Sequence, residues 1–475
     1  MMPYQTQIQR IKTKLIAAQH ADPDLEVFGA DAHQYQLNAP IPMQKIIDFE
    51  QQHGIQLPIE YKLFLTEIGH AGESFSNSAA GPFYGIYPFG EQYQLFSNDF
   101  DQALLTNPTL LTPDTPHEIW QAQIQELYAE NLSDYEYEQQ EAKIFGGLFV
   151  IGSQGCGYSH ALILNGIYTG KVVNISIDHD KPKFSDEAHF LDWYERWLDE
   201  VIDGNLQNTH AWFGYQMGGT ESDLMQRYKN TQDHQLKYQI LEGLNFKKSL
   251  TQDTLQQLLA YCPDENNENQ IMILSLVSKH DAQRAVPYLE ELLKTQLNTA
   301  VKLIHWYIEE DLPHWISRIY EYLPHVQDEE TFRFACYILQ KDEQQQFQQL
   351  KPFVQHPDFE IRKSTFYTFS FLNDKKPYET EFLHGLDSNE PSLLIQVLQA
   401  MQGLKTRAIL KKLQALVVKF PYQDIEPDEN GLRYYSADTD DLVYISSNIS
   451  NVLKEYNLNH DSIQHINPET FEFNP

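Results

Sequence analysis

The feature that most constrains the fold is a change of periodicity at "WFGYQMGGTESD". From Glu221 onward the chain carries only the 3.6-residue apolar period of helices, broken by short polar turns such as "PDENNEN", "HPDF" and "DSNEP". Before Gly219, strand-like and helix-like runs alternate. A chain of 475 residues also exceeds what one ordinary core accommodates. The prediction is a mixed α+β domain over residues 1–219, an all-α domain over 220–460 and a loosely held tail over 461–475.

In the first part, "MQKIIDFEQQHG" reads as a helix with Met43, Ile46, Ile47 and Phe49 on one side and Gly54 as its stop. "LPIEYKLFLTEIG" restarts helix, with Pro58 in the first turn, a stripe of Tyr61, Phe64, Leu65 and Ile68, and Gly69 at the end. "FYGIYPF", "GGLFVIGSQGCGYSHALILNG" and "GKVVNISID" read as short strands bounded by turns. Between the first two lies a helical, strongly acidic insertion, "EIWQAQIQELYAENLSDYEYEQQEAKIF". "SDEAHFLDWYERWLDEVIDG" is an amphipathic helix, with Ser185 as its cap, Phe190, Trp193, Trp197 and Val201 inward and Gly204 at its end. In the second part, apolar helices start at Asn269, Thr299, Thr331, Glu360 and Ser392. That spacing is the scale of stacked helical pairs. "HPDFEIRKSTFYTF" resembles the HEAT-like repeat pattern, in which an acidic turn precedes a helix that opens with a basic residue.

Charge narrows the function classes. Sixty-seven acidic residues stand against 34 basic ones, a net charge of −33. Such a field repels nucleic acid and anionic membranes and attracts basic partners. It also serves plain solubility, and the two explanations stay open. No apolar run approaches the ~20 residues of a membrane span, and the N-terminus has no signal-peptide core. Three widely spaced cysteines (Cys156, Cys262, Cys336) fit a reducing compartment. The expected location is the cytoplasm.

"FEQQHGIQLPIEYKLFLTEIGHAG", "GPFYGIYPFG", "GSQGCGYSHALILNGIYTGKVV" and "FLDWYERWLDEVI", in that order, resemble the SMI1/KNR4 family of the SUKH superfamily over about residues 40–205. The resemblance implies an α+β fold with helices packed on a central sheet. It also implies a binding role: many bacterial members are immunity proteins that block a cognate polymorphic toxin, often nucleic-acid-targeting, and fungal members are regulatory scaffolds.

Cys156 and His160 in "GSQGCGYSH" suggest a thiol–imidazole pair. On a strand, however, the two sit about 13 Å apart, and a structural, buried cysteine is the expectation. The glycines there complete no phosphate-binding fingerprint. Asp178, His179 and Asp180 are consecutive and cannot all face one metal ion, so a solvated turn is expected. No enzyme activity, cofactor or metal is expected. The candidate partner-binding residues are Tyr84 and Tyr87 in the glycine-aromatic loop, and Glu126, Glu130, Asp134, Tyr135, Glu136, Tyr137 and Glu138, beside Tyr128 and Glu141, in the acidic insertion. In that insertion, carboxylates interleaved with aromatics can mimic phosphates and bases. "DIEPDEN" (Asp424, Glu426, Asp428, Glu429) is a second acidic cluster. The expected function is stoichiometric inhibition of a toxin with a basic catalytic domain; the alternative is a scaffold for an endogenous partner.

Overall fold

A computed structural model describes residues 2–473, apart from 75–76, 95, 97–100, 130–131, 208–211, 310 and 423–439. Glu130 and the "DIEPDEN" cluster therefore lie outside the described residues. The chain forms two compact units, Met1–Ile273 and Leu274–Pro475. The helices that follow Gly219, Glu221–Asn230, His234–Asn245 and Gln252–Tyr261, thus fall in the first unit with the sheet.

The sheet of the first unit is a four-stranded antiparallel meander in the order β1-β2-β3-β4: β1 Leu148–Gly155, β2 Tyr158–Ile163, β3 Val172–Ser176 and β4 Lys183–Phe184. Successive residues alternate between two buried faces. Phe149, Ile151, Leu162 and Val172 join a core with Tyr61, Phe64, Phe190, Trp193 and Trp197. Leu148, Val150, Ala161, Ile163, Val173 and Ile175 face the other way, against Trp120, Ala142 and Phe145. The acidic segment supplies that second cover as helices His117–Leu127 and Asp134–Ile144. With both faces covered, the strands read as continuous apolar runs.

The helices from Met43 to His53 and from Phe190 to Ile202 form as expected, and Gly54 takes the left-handed conformation (φ 67°) that ends the first. Three local expectations change. Pro58 stands one residue before its helix, Ile59–Leu63, which widens into a π-helical turn at Phe64–Ile68. The cap of the Phe190–Ile202 helix is His189, whose ring accepts from Asp192 N, and not Ser185, whose hydroxyl donates to Val172 O. "FYGIYPF" forms no regular strand: Ile86 makes one isolated bridge to Gly152 on β1 and another to Ala79, and Tyr87 N donates to Ile151 O at 2.8 Å. Here Gly85 has φ 89°, and a Cβ on it would lie 2.4 Å from Ala79 O, so glycine is required.

The first forty residues belong to the same core. Helix Met2–Ala21 buries Ile8, Ile11 and Ala18 and packs along Phe190–Ile202. Arg10 and Lys14 on it both reach Glu195, at 2.8 Å and 2.9 Å.

The second unit is all helical in its described residues. Leu297–Tyr307 packs on Glu329–Leu339, that on Phe359–Phe369, that on Pro391–Ala400, and that on Asp440–Glu455. The 3₁₀ segment Phe347–Gln355 and helices Glu379–Gly385 and Arg407–Lys419 pack on one another as a second row. Among the described residues, no helix is long and apolar enough to cross a membrane.

Two buried imidazoles tie the first unit's stability to pH. Burial lowers both His33 and His160 to about 4. In the unfolded chain each titrates near 6.5. The fold therefore has full stability above that value and loses it as pH falls through 6.5 toward 4, by up to roughly 3 kcal/mol per histidine. His160→Gln removes one such term. Its stability deficit against wild type, read by urea denaturation, is expected to shrink by about that amount between pH 7 and pH 4. A pH-independent deficit refutes neutral burial.

Candidate partner-binding surface

Glycines set the position of the first candidate, Tyr84. A Cβ at Gly29 would lie 2.5 Å from the Phe83 carbonyl, and one at Gly155 would lie 2.8 Å from the Tyr84 ring. These close approaches lay Phe28 against Tyr84, with ring centroids 5.5 Å apart, and against Phe83 at 6.0 Å. Phe83 meets Trp212 at 5.3 Å, and Trp212 meets Tyr158 at 5.8 Å. Phe83 is buried and anchors the row, whereas Phe28 is 55% exposed and Trp212 39% exposed. Ile177, also exposed, covers Gly157 in the adjacent turn. An aromatic strip of this kind, too exposed to be core, has the composition of interface anchors.

The acidic pair of helices forms a second patch. Glu126, Asp134, Tyr135 and Glu136 are exposed, while Tyr137 and Glu138 are half-buried. Ser133 and Glu136 form a reciprocal capping box at the start of Asp134–Ile144. The backbone and hydroxyl hydrogen bonds from Ser133 hold the Glu136 carboxyl below its ordinary range. Glu136 thus carries a structural duty as well as a charge.

The turn at Asp178–Asp180 joins the two patches. His179 is buried rather than solvated, a correction to the sequence expectation. Its Nδ1 lies 2.6 Å from the Tyr128 hydroxyl and its Nε2 lies 3.1 Å from Glu141 Oε1. The Tyr137 hydroxyl donates to the same Glu141 oxygen at 3.2 Å, and Trp120 Nε1 donates to His179 O. On the other side of the turn, Tyr158 donates its hydroxyl to Asp180, which raises the phenol's pKa. A chain of contacts therefore runs from Phe28 through Trp212, Tyr158 and the turn to Tyr128 and the acidic helices.

Tyr87 is placed differently. It is half-buried against the second core cluster, and burial raises its pKa. It therefore packs with the sheet's other face and is not part of the aromatic strip. Cys156 also departs from expectation: it is exposed, in the two-residue turn between β1 and β2, where Cys156 (φ 49°) and Gly157 (φ 81°) both take positive φ. His160 is buried on β2, its Nδ1 within 3.1 Å of Gln154 and 2.9 Å of Asn174. Among the described residues, no group of three or more His, Cys, Asp or Glu side chains is arranged to hold a metal ion. Sequence reasoning missed Phe28, Tyr158 and Trp212. The only local signal was the bulky aromatics beside Gly29, Gly157 and Gly214.

The Glu141 carboxylate serves both His179 and Tyr137 from a buried position. Glu141→Ala leaves both without their acceptor and is expected to cost about 1–3 kcal/mol of stability. Tyr135→Ala, at an exposed position, is expected to stay within about 0.5 kcal/mol of wild type. Thermal denaturation of the two variants side by side checks the contrast.

No curated protein and no solved structure matches this chain. The strands, the acidic helices and the start of the buried tryptophan helix all lie between residues 40 and 196, and that segment matches the model of the SMI1 / KNR4 family (SUKH-1).

Proposed function

We propose that the protein is an immunity protein: it binds a cognate bacterial polymorphic toxin with a basic catalytic domain and covers its active site. It acts in the cytoplasm, by stoichiometric binding and without catalysis of its own. Toxin delivery through type VI secretion or cell contact in interbacterial competition gives the setting. The observation that carries this reading is the exposed aromatic strip running into an acidic face on an SMI1/KNR4 domain. Aromatic anchors supply affinity, and a net charge of −33 speeds encounter with a basic surface. Two of the anchors, Phe28 and Trp212, lie outside the family-matched segment, where one member can differ from the next in partner choice. The helical second unit, read as a HEAT-like array, braces or extends the grip.

The test is rescue. The toxin-like product of a neighbouring gene is expressed in a sensitive host with and without this protein, and co-purification is scored. Rescue with a stable complex is expected. Within that complex, Trp212→Ala and Tyr84→Ala are expected to weaken binding about 10-fold or more, through faster dissociation. The association rate is expected to fall as salt rises. Rescue that survives both substitutions moves the grip elsewhere on the chain.

A second reading, a regulatory scaffold for an endogenous partner, is favoured by exposed Trp306, Tyr367 and Phe371 on and beside the stacked helices of the second unit. Substituting Trp306 and Tyr367 in the full chain separates the two readings. Toxin binding that is unchanged favours immunity through the first unit.

A further inference from the structure

The second unit holds a pocket whose charge is opposite to that of the protein. Its volume is about 670 Å³, and two loops line it, residues 372–379 and 402–408. Lys375, Lys376, Lys405 and Arg407 face it, against Asp374 and Glu379. Four bases to two acids is a reversal in a chain with 67 acidic and 34 basic residues.

The acids nearby are already engaged. Glu379 accepts from the Thr406 hydroxyl, Asp374 accepts from Lys376 N at 3.0 Å, and Glu455 accepts from Gly403 N at 2.8 Å. Lys375 staples the two loops by donating to Gln402 O at 2.7 Å. Burial lowers its pKa, and Glu455 only partly offsets that cost. Lys376, Lys405 and Arg407 are exposed, and none makes an ion pair with the described residues. The floor adds donors of its own. Helix Arg407–Lys419 begins here, and Thr406 caps Ile409 N, so the amides of Arg407 and Ala408 stay available at the positive end of a 13-residue helix. Phe473 closes one wall with an aromatic ring.

We propose that this pocket binds a small molecule carrying two or more linked phosphates. Cations arriving from two loops match charge spread over adjacent phosphoryl groups better than a single point charge, and Arg407 offers the planar fork suited to phosphate oxygens. The source of the phosphates is either an inorganic polyphosphate or a nucleoside polyphosphate, whose base would stack on Phe473.

Calorimetric titration of the full chain with tripolyphosphate and with ATP, at fixed ionic strength and without divalent cations, tests this. Saturable binding of at least one probe is expected. Lys376→Glu/Arg407→Glu is expected to weaken it about 10-fold or more, with Lys45→Glu, in the first unit, leaving it unchanged. Lys405→Ala, at an exposed position, serves as the milder variant and is expected to weaken it in the same direction. Preference for ATP that Phe473→Ala abolishes supports a nucleoside ligand; equal binding of both probes, insensitive to Phe473→Ala, supports an inorganic one. No saturable binding of either probe, or binding untouched by the loop substitutions, overturns the proposal.

Discussion

The first unit depends on burying the helix Phe190–Ile202 on nearly every side. Trp193, Tyr194, Trp197 and Leu198 fill the core, yet Glu195, Arg196 and Glu200 on the same helix are buried too. Buried charge is tolerable only when paired, and each of these is. Arg196 reaches Glu187 at 2.9 Å, and Glu200 takes Lys247 at 2.8 Å and the Asn205 amide at 2.6 Å. Glu195 is claimed by Arg10 and Lys14. These pairs fix what lies around the helix. The N-terminal helix is held through Glu195, and the helices beyond Gly219 are held through Lys247. This is why residues well outside the family-matched segment fold with it as one unit.

The same economy of burial explains the acidic insertion. It reads as an addition to a minimal domain, but Trp120 and Phe145 on its helices seal the second face of the sheet. Its outer side keeps the carboxylates in water, and its inner side holds the Glu141–His179 pair. Buried contacts and solvated charge thus fall on opposite faces of the same two helices, so surface charge can vary there while the inner contacts stay.

Much of this was legible in the sequence, because period and punctuation are local. The glycine stops, the runs of β1 to β3, the tryptophan stripe and the helices starting near Asn269, Thr299, Thr331, Glu360 and Ser392 all follow from spacing. What was not legible depends on distance in the fold. Phe28 and Trp212 lie far apart in the chain and meet only because both pack on Phe83, whose backbone runs against Gly29. Tyr84 and Tyr87 looked equivalent in one loop, but either side of the bridges at Ile86 one packs on Phe28 and the other on the sheet's second core. The buried state of His179 likewise comes from a tertiary partner, Glu141, 38 positions away.

The β1–β2 turn has one practical consequence. Its tip is a single exposed thiol, Cys156, while Cys262 and Cys336 are sealed inside their helices' cores. Gly155 next to it touches the Tyr84 ring, and Tyr158, two residues on, contacts Trp212. The native chain therefore accepts one dye or spin label at one place, within reach of the aromatic strip. Anything that settles on that strip will change the label's surroundings, so arrival of a partner can be timed optically on an otherwise unaltered sequence.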